Sequence, residues 1–106
     1  MEIKTKNELK EITTTNSIVI ARFHAEWCGP CKMLDTFFAD LEKENEENIK
    51  FVGIDVEEAD EELIEEMNIS HIPTVFYYKD GLIVDKTVGG ISKKTLLEKI
   101  TEVKNR

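Results

Sequence analysis

Cys28 and Cys31 are the only cysteines of the chain; they stand three residues apart around Gly29-Pro30, with Trp27 immediately before them. No further cysteine is present to complete a tetrahedral metal set, so a structural zinc site is disfavoured and no metal ligands are assigned. Residues three apart on a helical turn bring their β-carbons to roughly 5–6 Å, close to the range in which a disulfide closes with minor adjustment. The pair can therefore cycle between dithiol and disulfide. At a helix start, unpaired amides and the positive dipole end would stabilise a thiolate on Cys28, whereas Cys31, one turn in, is expected to be more buried. Because the thiolate is the nucleophile, Cys28 takes the attacking role and Cys31 the resolving one.

The elements around the pair are legible from pattern. Ile18 to Phe23 is a β-branched run too short for a helix, expected as a strand buried on both faces, with Arg22 its odd member. From Pro30 onward, Met33, Leu34, Phe37, Phe38 and Leu41 recur at helical spacing, and a proline in the first turn removes an amide that had no partner. Upstream, Thr5-Lys6-Asn7-Glu8 has capping-box spacing and predicts a helix with Leu9 and Ile12 inward, after a brief strand at Glu2 to Lys4. Downstream come a second buried strand at Phe51 to Ile54 and an acidic helix marked by Leu63, Ile64 and Met67. A hairpin of Thr74 to Tyr78 and Leu82 to Val88 around Asp80-Gly81 follows. Ser92 then caps a last helix with Leu96, Leu97, Ile100 and Val103 inward. The order (β)αβαβαββα requires a mixed sheet with helices on both faces, an α/β fold.

At 106 residues, 41% hydrophobic and 34% charged, the chain fits one globular domain over residues 1–106. Such a chain buries roughly 60–68% of its unfolded surface, enough for a core without disulfide staples, which leaves the cysteines to chemistry. A net charge of −8 argues against nucleic acid, whose phosphates are held by basic clusters. The acid-rich stretch from Asp40 to Met67, which includes Glu46 and Glu47, reads as a solvated face. Apolar runs such as Ile18 to Ala21 fall far short of the ~20 residues that span a bilayer, and residues 1–15 lack an apolar signal core. No membrane partner is expected, and the location is read as cytoplasmic.

The segment Ala25-Glu26-Trp27-Cys28-Gly29-Pro30-Cys31-Lys32-Met33 resembles the active-site segment of the thioredoxin family. Ile72-Pro73-Thr74 resembles that family's cis-proline loop, Lys79-Asp80-Gly81 its hairpin, and Val88-Gly89-Gly90 the glycine that flattens its substrate groove. The resemblance covers the whole chain and implies a mixed sheet of four to five strands flanked by helices on both faces. It also implies a protein-disulfide reductase acting by thiol–disulfide exchange without a bound cofactor, in service of cellular redox homeostasis. Electrons would arrive indirectly from NADPH through thioredoxin reductase and leave to disulfide-containing target proteins. Trp27, His71, Ile72, Pro73 and Gly89 are the implied substrate-binding residues, with the target backbone lying against Ile72, and a monomer is the default for this size and family.

The chain departs from the family at several points. Arg22 stands six residues before Cys28, where the family usually has a buried acid. An arginine stays protonated and cannot act as a base, and its charge needs a partner such as Asp55 or Asp35, or water. Phe51 occupies the place of the accompanying lysine, and Thr36 that of a helix-kinking proline, so the second helix should run straighter. His24 replaces an aromatic, and His71 precedes Pro73 by two residues, so both histidines are expected to flank the dithiol. Together with Trp27, Gly29 and Pro30, Arg22 and His24 are candidates for tuning the cysteines. An oxidase or isomerase with a more oxidising potential, and a binding module using the same groove, are the competing readings.

Overall fold

The computed structural model describes residues 1–44 and 49–106, so Glu46 and Glu47 of the acidic stretch lie outside the described residues. Eight elements follow one another: α1 (Lys6–Thr15), β1 (Ile18–His24), α2 (Gly29–Lys43), β2 (Ile49–Asp55), α3 (Glu61–Glu66), β3 (Thr74–Lys79), β4 (Leu82–Val88) and α4 (Lys93–Lys104). The sheet order is β2-β1-β3-β4. β1 pairs parallel with β2 and antiparallel with β3, and β3 pairs antiparallel with β4. This is the mixed α/β sheet that the element order required, with four strands. The expected strand at Glu2 to Lys4 is reduced to a single parallel bridge, Glu2 to Gly53, because only the amide of Ile3 and the carbonyl of Met1 reach Gly53, each at 2.8 Å.

Strand alternation divides the core in two. Val19, Ala21 and Phe23 of β1 join Leu9 and Ile12 of α1 and Leu63 of α3 on one face. Ile20 of β1 joins Leu34, Phe38 and Leu41 of α2 and Leu96, Ile100 and Val103 of α4 on the other. Each fully buried side chain of this size contributes about 1.5–3 kcal/mol. By the same alternation Arg22 belongs to the α2 side of the sheet, directly under the helix that carries the cysteines. Two inward assignments fail: Met33 and Leu97 are exposed. Each sits at the margin of its helical stripe, where a 3.6-residue period no longer turns a side chain toward the sheet.

Caps and turns follow local chemistry. Thr5 accepts from the amide of Glu8 at 3.1 Å, and Glu8 accepts from the amide of Thr5 at 3.0 Å, closing the capping box. Ser92 accepts from the amide of Thr95 at 3.1 Å to start α4. Asp80 (φ 53°) and Gly81 (φ 85°) both take the left-handed conformation that a tight hairpin between β3 and β4 demands. With Thr36 in place of a proline, α2 runs unbroken over 15 residues.

Candidate active site

The cysteines sit where β1 ends and α2 begins, at the C-terminal edge of the parallel pair β1 and β2. Ala25 accepts from the amide of Cys28 at 3.2 Å, turning the chain out of the sheet. Cys28 is then the N-cap of α2, and its Sγ accepts from the amide of Cys31 at 3.2 Å. That hydrogen bond is made by a free amide of the first helical turn, the group that would hold a thiolate once the disulfide opens. Cys28 and Cys31 are joined as a disulfide with Cα atoms 5.3 Å apart. Both are buried, Cys28 at 4% exposure and Cys31 at 1%, so the expected difference in burial is small in the oxidised protein.

Around the sulfurs pack Ala25, Val56 and Ile72. Val56 is held there by donating its amide to the His24 carbonyl at 2.8 Å. Its contribution was not singled out from sequence; the available signal is its place just beyond the end of β2, level with the end of β1. Three loops meet at the site. Ile72-Pro73 is a cis peptide, and the Pro73 carbonyl accepts from the amide of Gly89 at 2.8 Å. The site of a Cβ on Gly90 lies 3.6 Å from Pro30 Cβ, so Gly90 stands against the cysteine turn, while a Cβ on the neighbouring Gly89 would meet open space. Trp27 projects outward at 69% exposure, beside the disulfide in sequence and outside the core.

The remaining candidates make bonds of their own. His24 Nε2 lies 3.0 Å from Glu2 Oε1, and His71 Nδ1 lies 3.0 Å from Ser70 Oγ. Arg22 Nη1 faces Asp35 Oδ1 at 2.5 Å and Nη2 faces Glu2 Oε2 at 3.6 Å. Its guanidinium carbon also stands 5.5 Å from the Phe38 ring centroid. Of the two acids expected as its partner, the structure selects Asp35; Asp55 instead accepts from the amide of Glu57 at 2.9 Å. Among the described residues no group of three or more His, Cys, Asp or Glu is arranged to hold a metal ion.

A disulfide between residues three apart, capping a helix at the edge of a mixed four-stranded sheet with a cis-proline loop against it, defines a thiol–disulfide oxidoreductase. The thioredoxin family profile matches residues 1–102. Thioredoxin of Mycoplasmoides gallisepticum is 40% identical over 96 residues, 91% of this chain and 94% of that one. Thioredoxin of Bacillus subtilis is 34% identical over 100 residues, covering 94% and 95%. The solved structure of Plasmodium falciparum thioredoxin superposes with a TM-score of 0.85 at 34% identity, over 95% of this chain and 96% of that one. The chain belongs to the thioredoxin family, and its activity is disulfide reduction of the thioredoxin type.

Proposed function

We propose that residues 1–106 act as a single thioredoxin domain, a monomeric cytoplasmic electron carrier that keeps target proteins reduced. Thioredoxin reductase, drawing on NADPH, restores the dithiol, and the chain itself holds no cofactor. Among the described residues no helix is long and apolar enough to cross a membrane. The observation that carries this reading is the Cys28–Cys31 disulfide at the N-terminus of α2, in a chain with 40% identity to a thioredoxin over nearly its whole length.

In the reduced protein the Cys28 thiolate attacks one sulfur of a target disulfide. The target S–S bond breaks, its other sulfur leaves as a thiolate and takes up a proton, and Cys28 is joined to the target. Cys31, losing its proton, attacks Cys28; the second target thiolate leaves and is protonated as the Cys28–Cys31 bond forms. Two electrons have passed to the target, together with one proton from Cys31 and one from water. Gly29 and Pro30 hold the cysteine turn at the helix start, and Trp27 shields it. The target backbone lies along Ile72 and Pro73, bordered by His71 and Gly89. Arg22 and His24 act on the dithiol through its electrostatic surroundings.

Insulin reduction by NADPH and a bacterial thioredoxin reductase tests the assignment. The native chain should turn over, Cys28→Ser should be inert, and Cys31→Ser should accumulate a mixed disulfide with the target and stop. Turnover by Cys28→Ser would overturn the reading, and a partner still bound with unchanged affinity by the Cys28→Ser/Cys31→Ser chain would favour the binding module. Because two carboxylates flank Arg22, the potential should lie near the about −270 mV of a reductant rather than the about −200 mV of an oxidising relative.

A further inference from the structure

Arg22, in β1, is fixed from three sides. Asp35 of α2 meets one guanidinium nitrogen and Glu2 of the N-terminal segment meets the other. The Phe38 ring lies 5.5 Å from the guanidinium carbon. The Arg22 side chain is only 14% exposed, and Nη1 and Asp35 Oδ1 are both buried with no directed hydrogen bond, so charge holds that contact. The room for this arrangement comes from Gly53, which pairs with Arg22 in the β1–β2 register. A Cβ there would collide with Glu2 Oε2 and stand 3.0 Å from Arg22 Nη2.

Asp35 is four residues after Cys31, one turn along the same helix. Helical side chains at that spacing share a face and lean toward the N-terminus, which brings the Arg22–Asp35 pair under the turn that carries the cysteines. Opening the disulfide adds two electrons and one proton to give a thiolate on Cys28 and a thiol on Cys31. A nearby positive charge favours that reduced, thiolate-bearing state and raises the potential; a negative one lowers it.

We propose that Asp35, seconded by Glu2, sets the redox potential of the Cys28–Cys31 pair by cancelling the field of Arg22. The arrangement is a charge-compensated substitute for a buried acid on β1, in which the arginine cannot exchange a proton and the tuning lies in its counter-charges. Asp35 and Arg22 are positioning residues: they act through the charge near the sulfurs and touch no target. The inference rests on the dithiol reading above.

The test is equilibrium titration of the full chain in glutathione buffers at pH 8, followed by Trp27 fluorescence, with thermal melts of each variant. Asp35→Asn should shift the equilibrium with glutathione about five- to tenfold toward the reduced protein, about 20–30 mV upward. Arg22→Met should shift it by a similar factor the other way, and Glu2→Gln should act like a weaker Asp35→Asn. Asp35→Glu should restore the native value. The double variant Asp35→Asn/Arg22→Met should return most of the way to native, since it removes one charge of each sign and the two opposite shifts cancel. Folded single variants with native potentials would overturn the proposal, as would a double variant whose shift is that of either single one alone. If Arg22→Met does not fold, Asp35→Asn and its Asp35→Glu rescue decide. A native chain that fails to cycle in these buffers would instead refute the dithiol reading itself.

Discussion

Gly29 and Gly89 flank the redox site, and neither would meet any heavy atom within 4 Å if given a Cβ. Space therefore treats Gly29→Ala and Gly89→Ala alike, and backbone conformation separates them. Gly89 has φ +88°, where an L-residue costs about 1–2 kcal/mol. Gly29 is the first residue of α2, where alanine meets no strain and gains at most about 0.5–1 kcal/mol, the value of a mid-helix position. At about 1 kcal/mol net, Gly89→Ala should lower the melting temperature of a domain this size by about 4–8 °C. With a urea m-value of about 1–3 kcal/mol/M, its midpoint should fall by roughly 0.3–1 M. Gly29→Ala should hold or raise both. The assay is urea and thermal unfolding of the oxidised proteins by circular dichroism, so that differences in redox state do not enter. Because the Gly89 amide also donates to the Pro73 carbonyl at 2.8 Å, relaxation of the strained residue should slow target reduction as well. Equal losses in the two variants, or an unchanged Gly89→Ala, would refute the conformational argument.

Two pH dependences follow from the shifted groups. Burial pushes the hydroxyls of Tyr77 and Tyr78 up to about 12, so both favour the neutral, folded state. Their stabilisation is complete below the ordinary tyrosine value of 10.0 and is lost as pH rises through about 12. Phenolate absorbance should thus appear together with unfolding, and Tyr78→Phe should move the alkaline midpoint upward; phenolate formation in a still-folded protein would contradict this. At the acid end, the amide of Lys86, donating to Asp85 at 2.8 Å, holds that carboxyl below its ordinary 3.8, helped by Lys99 and Arg106. Its contribution is present above that ordinary value and fades as pH falls through the depressed one. Asp85→Asn should therefore lose less stability than the native chain between pH 5 and pH 2 in urea titrations, by at most about 1 kcal/mol for so exposed a cluster.

What was legible in the sequence was local. The capping box at Thr5 and Glu8, the Asp80-Gly81 turn and the cysteine turn at the start of α2 each concern residues within one turn of each other, so spacing alone specifies them. The stripe margins at Met33 and Leu97 were misjudged because a period says which residues share a face but not how wide a face the sheet covers. Val56 is not visible in the sequence for another reason: it reaches the cysteines from another element, beyond the end of β2. His24 ends β1 and His71 precedes Ile72, so both stand in the segments that border the dithiol, and their ring hydrogen bonds run to Glu2 and Ser70.

Arg22 shows most clearly where sequence reading stops. Its need for a partner followed from the cost of an unpaired charge in a buried strand, and Asp35 was one of two acids within reach of that argument. The cluster that meets this need is not local: Glu2 comes from 20 residues upstream, Asp35 from the next helix, and Gly53 from the neighbouring strand. Gly53 is the least visible member, since a glycine in a strand ordinarily weakens it and nothing in its neighbours announces a reason. Register supplies one. Opposite Arg22 on the α2 side of the sheet, any side chain would displace the Glu2 carboxylate and crowd the guanidinium. The substitution of an arginine into β1 thus has consequences on the adjacent strand, the following helix and the N-terminal segment. Gly53→Ala should accordingly release Glu2 and act on the redox equilibrium in the same direction as Glu2→Gln.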